Sequence, residues 1–219
     1  MKALVTGASS GVGLAITREL LNTYPDIEII AQYNSQRPEI EDERLHTWQS
    51  DFTQPLADLP AVGDSLDLLI HCAGVCPLGS CAESTRAQWE EAMSVNLHSP
   101  AELTAALLPQ LKKAGAHVIY INSGAGMNTR PLWGAYSASK FAARAWCEAL
   151  RQENPEIRVS SIYPGRIATP MQEKVVEFLG ETWNPSKYLS VDSVKAAAMA
   201  LVKAPADCQP QDIVLRPRG

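Results

Sequence analysis

The sequence predicts an α/β domain with a doubly wound parallel sheet of about seven strands and helices on both faces, in three α/β/α layers. Short apolar segments alternate with longer helical segments along the whole chain, which is typical of parallel strands joined by crossover helices. The 219 residues, 46% hydrophobic and 20% charged, are enough for one domain with a sizeable core. Because there is no repeat, low-complexity tract or long linker, residues 1–219 are interpreted as a single domain.

The predicted strands are short runs rich in aliphatic and β-branched residues. Six of them are clear, at residues 2–6, 28–32, 66–71, 117–121, 158–163 and 212–216. A seventh, at residues 44–48, is weaker. Helices are predicted between them, at residues 13–22, 86–97, 101–113, 136–153 and 191–203. The spacing of Thr85 and Gln88 fits a capping box at the start of the second helix. Pro100 is expected to break or kink the long middle segment.

Composition and charge exclude several classes of partner. A net charge of −5 and a pI near 5.4 argue against a nucleic-acid groove or an anionic membrane surface. No apolar run approaches the roughly 20 residues that span a bilayer, and Met1 runs directly into a strand, so we expect no signal peptide. Five scattered cysteines suit a reducing compartment. We therefore expect a cytoplasmic protein.

Cysteines cluster in one place, where Cys72, Cys76 and Cys81 follow His71. A zinc site is conceivable from the number of ligands alone. However, the spacing contains no C-x-x-C pair and no second half of a zinc site. Cys72 ends an apolar strand and is interpreted as a packed side chain. No metal site is predicted.

A glycine-rich loop, Thr6-Gly-Ala-Ser-Ser-Gly-Val-Gly13, lies between the first strand and the first helix. Glycines there permit a tight turn and a close approach of the backbone to a pyrophosphate, which the helix N-terminus then stabilises. This context favours a dinucleotide site. Asp51, after the third strand, is placed to accept hydrogen bonds from an adenine amino group.

Two other interpretations of this loop remain. Residues 7–11 match G-x-S-x-G, the nucleophile elbow of serine hydrolases, with Ser9 as the nucleophile. That elbow normally follows a strand in the middle of a sheet rather than the first strand, and no evident partner exists among the four histidines of the chain: His46, His71, His98 and His117. Alternatively, the glycines only close a turn.

A second pattern, Tyr136-Ser-Ala-Ser-Lys140, lies on a predicted helix, with Ser123 thirteen residues before the tyrosine. Positions i and i+4 of a helix lie on the same face. An ammonium within about 4–6 Å of a phenol favours the phenolate and lowers the pKa of the tyrosine by ~1–3 units. Tyr136 is therefore a candidate general acid or base.

With both patterns present, the chain resembles the short-chain dehydrogenase/reductase family over essentially its whole length, in its compact, Rossmann-like form. The glycine spacing, Tyr136 with Lys140, Ser123 and Asn96 match that family's motifs. The segment Tyr163-Pro-Gly165, with Ile167 and Thr169, resembles the part that closes over the nicotinamide. The chain departs from the pattern at His71-Cys-Ala-Gly74, where the family has Asn-Asn-Ala-Gly. This change is expected to affect stability more than chemistry.

The resemblance implies roles for four residues. Tyr136 gives a proton to a carbonyl oxygen during reduction and takes it back during alcohol oxidation. Lys140 lowers the pKa of Tyr136 and holds the nicotinamide ribose. Ser123 donates a hydrogen bond to the substrate oxygen, and Asn96 anchors a water that relays protons from Lys140 to solvent. The implied function is an oxidoreductase that interconverts a carbonyl and an alcohol, and the alternative is a non-catalytic dinucleotide-binding regulator.

The expected cofactor is NADP rather than NAD. An acidic residue just after the second strand would bind the ribose 2′-hydroxyl of NAD, but no carboxylate occurs there before Glu39. Arg37, with Asn34 and Ser35, is placed to contact a 2′-phosphate. The full set of expected cofactor contacts is Gly7, Ser9, Ser10, Gly11, Val12, Gly13, Asn34, Ser35, Arg37, Asp51, Phe52, Ala73, Gly74, Tyr136, Lys140, Pro164, Gly165, Ile167 and Thr169.

The substrate side is less defined. The segment at about residues 170–190 is short and amphipathic and is interpreted as a small substrate lid. Met127, Trp133, Met171 and Trp183 are candidate pocket residues, although core packing explains any one of them equally well. The small lid suggests a compact or promiscuous carbonyl substrate. The resemblance also implies a homodimer or homotetramer packed through helices 86–113 and 136–153; an apolar stripe of Phe141, Ala145 and Leu150 suits such an interface, although it could instead face the sheet.

Overall fold

The computed structural model describes residues 1–218, and Gly219 lies outside the described residues. Seven strands form one sheet in the order β3-β2-β1-β4-β5-β6-β7, and every neighbouring pair is parallel. The strands are β1 Lys2–Val5, β2 Glu28–Tyr33, β3 Leu45–Gln49, β4 Leu68–His71, β5 His117–Ile121, β6 Arg158–Pro164 and β7 Asp212–Leu215. The predicted doubly wound sheet is thus confirmed, including its weak seventh strand at the β3 edge.

Six α-helices cover the two faces of this sheet. They are α1 Gly11–Thr23, α2 Arg86–Met93, α3 Ser99–Ala114, α4 Gly134–Glu153, α5 Pro170–Phe178 and α6 Val191–Val202. One hydrophobic core packs the sheet against α1 and α6, and the other packs it against α3 and α4. Helices thus bury both faces of the parallel strands, and this produces the three predicted layers.

A break or kink was expected at Pro100, but the helical backbone continues through this residue. Residues 86–114 run through α2, a π-helical turn Ser94–His98 and α3 without leaving the helical region. Pro100 lies in the first turn of α3, where a missing N–H costs little. Because proline has no N–H to donate, the carbonyl of Asn96 one turn earlier is open to another donor. A π-turn of this kind often marks a functional site.

The lid segment has more regular structure than the sequence indicated. Thr169 caps α5 by accepting a hydrogen bond from the Gln172 amide, and Val175 and Val176 bury the inner face of this helix. An isolated bridge between Ile167 and Leu189 closes the base of the segment. The segment is therefore a loop that contains one packed helix and is closed at its base by a β-bridge.

The apolar stripe on α4 is not a single outer surface. Phe141 is 41% exposed and Ala145 is also exposed, but Leu150 is 8% exposed and belongs to the core beneath the helix. A period of 3.6 residues places positions 141 and 145 on nearly the same side and rotates position 150 inward. The outer position therefore applies to Phe141 and Ala145, and the alternative, a side chain that faces the sheet, applies to Leu150.

His71 occupies a buried position at the end of β4. Its Nε2 lies 2.9 Å from Thr104 Oγ1, and its ring packs about 6 Å from the rings of Tyr120 and Trp146. Burial, with the charge of Lys140 nearby, lowers the pKa of His71 to about 3, so the ring is neutral at physiological pH. This histidine therefore acts as an aromatic core residue where the family has an asparagine.

The glycine loop is pressed against the end of β4. Gly7 has a positive φ of 63°, and a Cβ on it would lie 2.7 Å from the Ala73 amide nitrogen. The Thr6 hydroxyl accepts hydrogen bonds from the amides of Cys72 and Ala73 at 3.0 and 3.1 Å. Only glycine at position 7 therefore allows β1 and β4 to end side by side.

A comparison of Gly7→Ala with Gly63→Ala tests this packing, because both glycines have positive φ but a Cβ on Gly63 would meet only the end of the Lys2 side chain, at 3.6 Å. We expect Gly63→Ala to lower the free energy of unfolding by about 1 kcal/mol through its backbone conformation. Gly7→Ala should cost about 3 kcal/mol or more because backbone atoms must move as well. Urea unfolding measures both values, and equal losses would contradict the packing argument.

Candidate active site

The carboxyl ends of the strands open into a cleft of about 350 Å³ where the strand order reverses between β1 and β4. Ligands of doubly wound sheets bind at such a switch point. Fifteen of the expected cofactor contacts line it: Gly7, Ser9, Ser10, Gly11, Val12, Gly13, Asn34, Asp51, Phe52, Ala73, Gly74, Tyr136, Lys140, Ile167 and Thr169. The residues that the sequence separates widely thus meet in one cleft.

The start of α1 suits an anionic group. Ser10 is the N-cap, but its side chain makes no capping hydrogen bond. Within residues 1–218, the amides of Gly11, Val12 and Gly13 donate to no protein acceptor. These unpaired N–H groups and the positive end of the helix dipole fit a phosphate. The residues present therefore fit a dinucleotide pyrophosphate.

The end of β2 holds a residue that sequence reasoning missed. The Gln32 carboxamide accepts a hydrogen bond from the Gly7 amide at 2.8 Å and donates one to the Ser50 carbonyl at 2.7 Å. Gln32 therefore fixes the glycine loop against β2. Asn34 lines the cleft, whereas Ser35 and Arg37 are exposed and lie outside the lining.

Two of the four expected catalytic residues, Tyr136 and Lys140, line this cleft, and Ser123 and Asn96 lie next to them. Tyr136 and Lys140 lie one turn apart on α4 and are 7% and 3% exposed. Ser123 follows β5, where its Oγ accepts a hydrogen bond from the Ala125 amide at 3.1 Å. Asn96 is fully buried in the π-turn. The four residues therefore come from three parts of the fold: the π-turn, the end of β5 and α4.

A small cavity of about 80 Å³ adjoins the cleft at Tyr136 and is also lined by Ser123, Trp133 and Met171. Two of the predicted pocket residues, Trp133 and Met171, are therefore in place. The other two are not, because Met127 and Trp183 lie outside this lining and Trp183 stacks on Tyr188 at 5.2 Å.

Pro164 and Gly165 line the same small cavity and are absent from the lining of the dinucleotide cleft. They were expected among the cofactor contacts. β6 extends as far as Pro164, and this places the two residues beyond the inner end of the cleft, on the side of Ser123.

The electrostatics around Tyr136 differ from the expectation. Burial raises the pKa of Tyr136 above its ordinary value, the nearby Cys76 thiol acts in the same direction, and the nearby Ser123 hydroxyl acts against it. The Lys140 ammonium donates to Tyr120 Oη and to the Ile121 carbonyl, each at 3.2 Å. The hydrogen bonds of the lysine thus go to these two oxygens, and the net effect of the surroundings is to raise the pKa of Tyr136.

Tyr120 is a second residue that the sequence analysis did not identify. It is fully buried in β5; its hydroxyl donates to the Asn96 carbonyl, and its ring lies 4.8 Å from the Lys140 Nζ. The Asn96 carbonyl thus accepts a hydrogen bond from a side chain, and the expectation that Asn96 anchors a water beside Lys140 stays a prediction. The only signal was a tyrosine in an otherwise apolar central strand.

The side chain of Asn96 is also fully engaged. Its carboxamide accepts from the Val75 amide at 3.0 Å and donates to the Val75 carbonyl at 3.0 Å and to Ser139 Oγ at 2.9 Å. It therefore ties the loop after β4 to α4, directly beside Gly74, whose Cβ would lie 3.2 Å from the Asn96 oxygen.

Asn122 is a third unpredicted residue. It is buried between β5 and α4, accepts from the Ser123 amide at 2.8 Å and donates to the Lys140 carbonyl at 3.2 Å. Asn122 thus connects the backbone of Ser123 to the helix that carries Tyr136 and Lys140.

Residues 1–218 contain no group of three His, Cys, Asp or Glu side chains arranged to hold a metal ion. None of the described helices is long and apolar enough to cross a membrane.

Comparisons with known proteins agree with this geometry. The sequence model of the short chain dehydrogenase family matches residues 1–180. The chain is 34% identical over 194 residues to the oxidoreductase YciK of Escherichia coli, covering 77% of this chain and 74% of that one. It is 29% identical over 219 residues to an oxidoreductase of Schizosaccharomyces pombe, covering 92% and 87% of the two chains.

A solved structure of serine dehydrogenase complexed with NADP+ superposes with a TM-score of 0.81 and 26% identity, over 99% of this chain and 94% of that one. The family model covers most of the chain, and the fold and the cleft are those described above. The chain therefore belongs to the short-chain dehydrogenase family of oxidoreductases, which use a nicotinamide dinucleotide.

Proposed function

We propose that the protein is an NADP-dependent oxidoreductase that interconverts a ketone or aldehyde and an alcohol, with Tyr136 as the general acid/base. The observation that carries the proposal is that Ser123 and Tyr136 share a small cavity that opens into the dinucleotide cleft at Tyr136. A carbonyl oxygen in that cavity lies within reach of both hydroxyls. We take residues 1–219 as one such domain, with residues 170–190 covering the substrate and two or four copies assembling.

When bound, the nicotinamide supplies or removes the hydride, and the chain supplies orientation and electrostatics. Ser123 donates a hydrogen bond to the substrate oxygen, where negative charge grows during reduction. Burial keeps the pKa of Tyr136 high, so the phenol holds its proton and donates it as the oxygen becomes basic. Lys140, whose pKa burial lowers to about 8, provides a positive charge beside Gly74 and would hold the nicotinamide ribose.

The residues at and after the end of β2 favour NADP over NAD. Asn34 lines the cleft at this point, and the chain that follows β2 has no carboxylate before Glu39 to bind a 2′-hydroxyl or repel a 2′-phosphate. Arg37 is exposed and nearby in sequence, so it is available to pair with a 2′-phosphate. The serine dehydrogenase relative, solved with NADP+, supports the same choice.

The alternatives are weaker. A non-catalytic regulator would not need Ser123, Tyr136 and Lys140 together in a buried cluster. A hydrolase using Ser9 would need a histidine beside it, and no histidine lines the cleft.

Replacement of Tyr136 by Phe tests the catalytic proposal. We expect kcat/KM for a reducible ketone or aldehyde, followed by NADPH absorbance, to fall about 10³-fold because the proton donor is lost. The affinity for NADPH, measured by calorimetry, should stay within about threefold. The control Tyr24→Phe removes a hydroxyl at the end of α1, remote from the cleft, and should change neither. Full activity of Tyr136→Phe would overturn the assignment.

The nucleotide preference is tested by titrating the protein with NADPH and NADH. Asn34→Asp places a carboxylate beside the ribose, and we expect it to weaken NADPH binding about tenfold or more while NADH binding is retained or improved. Arg37→Gln should weaken NADPH alone, by a smaller factor. Tighter binding of NADH by the native chain would reject NADP but leave the oxidoreductase assignment intact.

Tyr120→Phe tests the positioning of Lys140. The Tyr120 oxygen accepts a hydrogen bond from the ammonium and stabilises its charged form. Removing that oxygen should lower the pKa of Lys140 further, so the alkaline limb of the kcat/KM profile should move to lower pH by about one unit. If the alkaline limb of the kcat/KM profile stays at the same pH and only the free energy of unfolding falls, Tyr120 has a packing role alone.

A further inference from the structure

A larger cavity, of about 700 Å³, lies beyond Ser123 on the side away from the dinucleotide cleft. It shares Ser123, Trp133 and three residues at the end of β6, Pro164, Gly165 and Arg166, with the small cavity that holds Tyr136. A substrate whose carbonyl carbon lies beside Tyr136 therefore extends the rest of its structure into this space.

Basic side chains from separate parts of the chain converge on this cavity. Its lining contains four cationic residues, Arg130, Arg166, Lys187 and Arg216, and one carboxylate, Glu181. Arg166 pairs with Glu181 at 3.0 Å. Within residues 1–218, the other three cations have no carboxylate within 4.0 Å. A protein with a net charge of −5 thus concentrates unneutralised positive charge beside its catalytic serine.

Arg216 is the fixed member of this group. One terminal nitrogen donates to the carbonyls of Tyr163 and Leu215, both at 2.9 Å, and the guanidinium lies 3.3 Å from where a Gly124 Cβ would be. Its other terminal nitrogen and its Nε have no hydrogen-bond partner in the described part of the chain. A guanidinium held in this way is preorganised to bind a carboxylate through its two unused N–H directions.

Arg130 and Lys187, which are exposed as Arg216 is, lie on the rim of the cavity, on the loop before α4 and in the short 3₁₀ turn Pro185–Lys187. Long side chains at such positions add attraction for an anion with little geometric constraint. Arg216 would therefore set the position of the anionic group, and the rim residues would raise its local concentration.

We propose that this cavity binds a carboxylate of the substrate, so that the reaction is the reduction of an oxo acid to a hydroxy acid and its reverse. The inference rests on the proposed function and specifies its substrate class. In the reducing direction, hydride from NADPH forms the new C–H bond and the proton of Tyr136 forms the O–H bond. NADPH is oxidised to NADP+, solvent returns the proton to Tyr136, and the carboxylate is unchanged.

The test compares each of three oxo acids of increasing length, pyruvate, acetoacetate and levulinate, with its methyl ester. We expect kcat/KM for at least one acid to exceed that of its ester about tenfold or more at low ionic strength. Arg216→Gln should lower the value for that acid by about tenfold to a hundredfold and leave the ester within about threefold. Added salt should lower the acid's rate and not the ester's.

Two further variants separate charge from folding. Glu181→Gln removes the only carboxylate of the lining, so it should raise the preference for the acid over the ester, which a folding defect would not do. The matched control Lys203→Gln removes an exposed cation after α6, away from the cavity, and should change nothing. Equal losses of acid and ester activity in Arg216→Gln, or esters that match their acids at all three lengths, would overturn the proposal.

Calorimetric binding of the same acids provides a readout that does not need turnover. If the protein binds an acid and Arg216→Gln abolishes that binding, the carboxylate site stands even when no carbonyl is reduced and the proposed function fails. If esters and acids are reduced equally well, the proposed function stands and the carboxylate site is rejected.

Discussion

The contact between the glycine loop and the end of β4 is the constraint on which the rest of the structure depends. Gly7 and Ala73 approach so closely that a single added carbon would collide with backbone, and Thr6 completes the junction by accepting two backbone hydrogen bonds from the end of β4. Because β1 and β4 meet at the point where the strand order reverses, this junction shapes the floor of the cleft. Gln32 then holds the loop from the other side.

A buried positive charge is the second organising feature. Lys140 is almost fully enclosed, and burial of an ammonium is costly unless oxygen acceptors compensate it. Tyr120 and the Ile121 carbonyl provide those acceptors, and the π-turn, with Pro100 after it, directs the Asn96 carbonyl to the Tyr120 hydroxyl. The irregular stretch of the long helical segment therefore has a specific role in the site.

Burial and position determine which groups around the site carry charge. The pKa values of the three thiols nearest to Lys140, those of Cys72, Cys76 and Cys147, are raised to about 12 by burial, so they remain neutral and leave the ammonium charged. Tyr136 stays protonated for the same reason. Positive side chains also line the open cavity beyond Ser123. A protein of negative net charge thus has one cavity that is rich in basic residues.

The sequence by itself determined the type and order of nearly all the elements, the dinucleotide loop and the pairing of Tyr136 with Lys140. These features follow from local periodicity, turn chemistry and short spacings, which depend on neighbours in the chain. The tertiary structure decided that Lys140 binds Tyr120, that Gln32 holds Gly7, and that Arg216 lies beside Gly124. Each of these pairs is separated by at least 20 residues and meets only because parallel strands bring their ends to one edge of the sheet, where burial sets which contacts form.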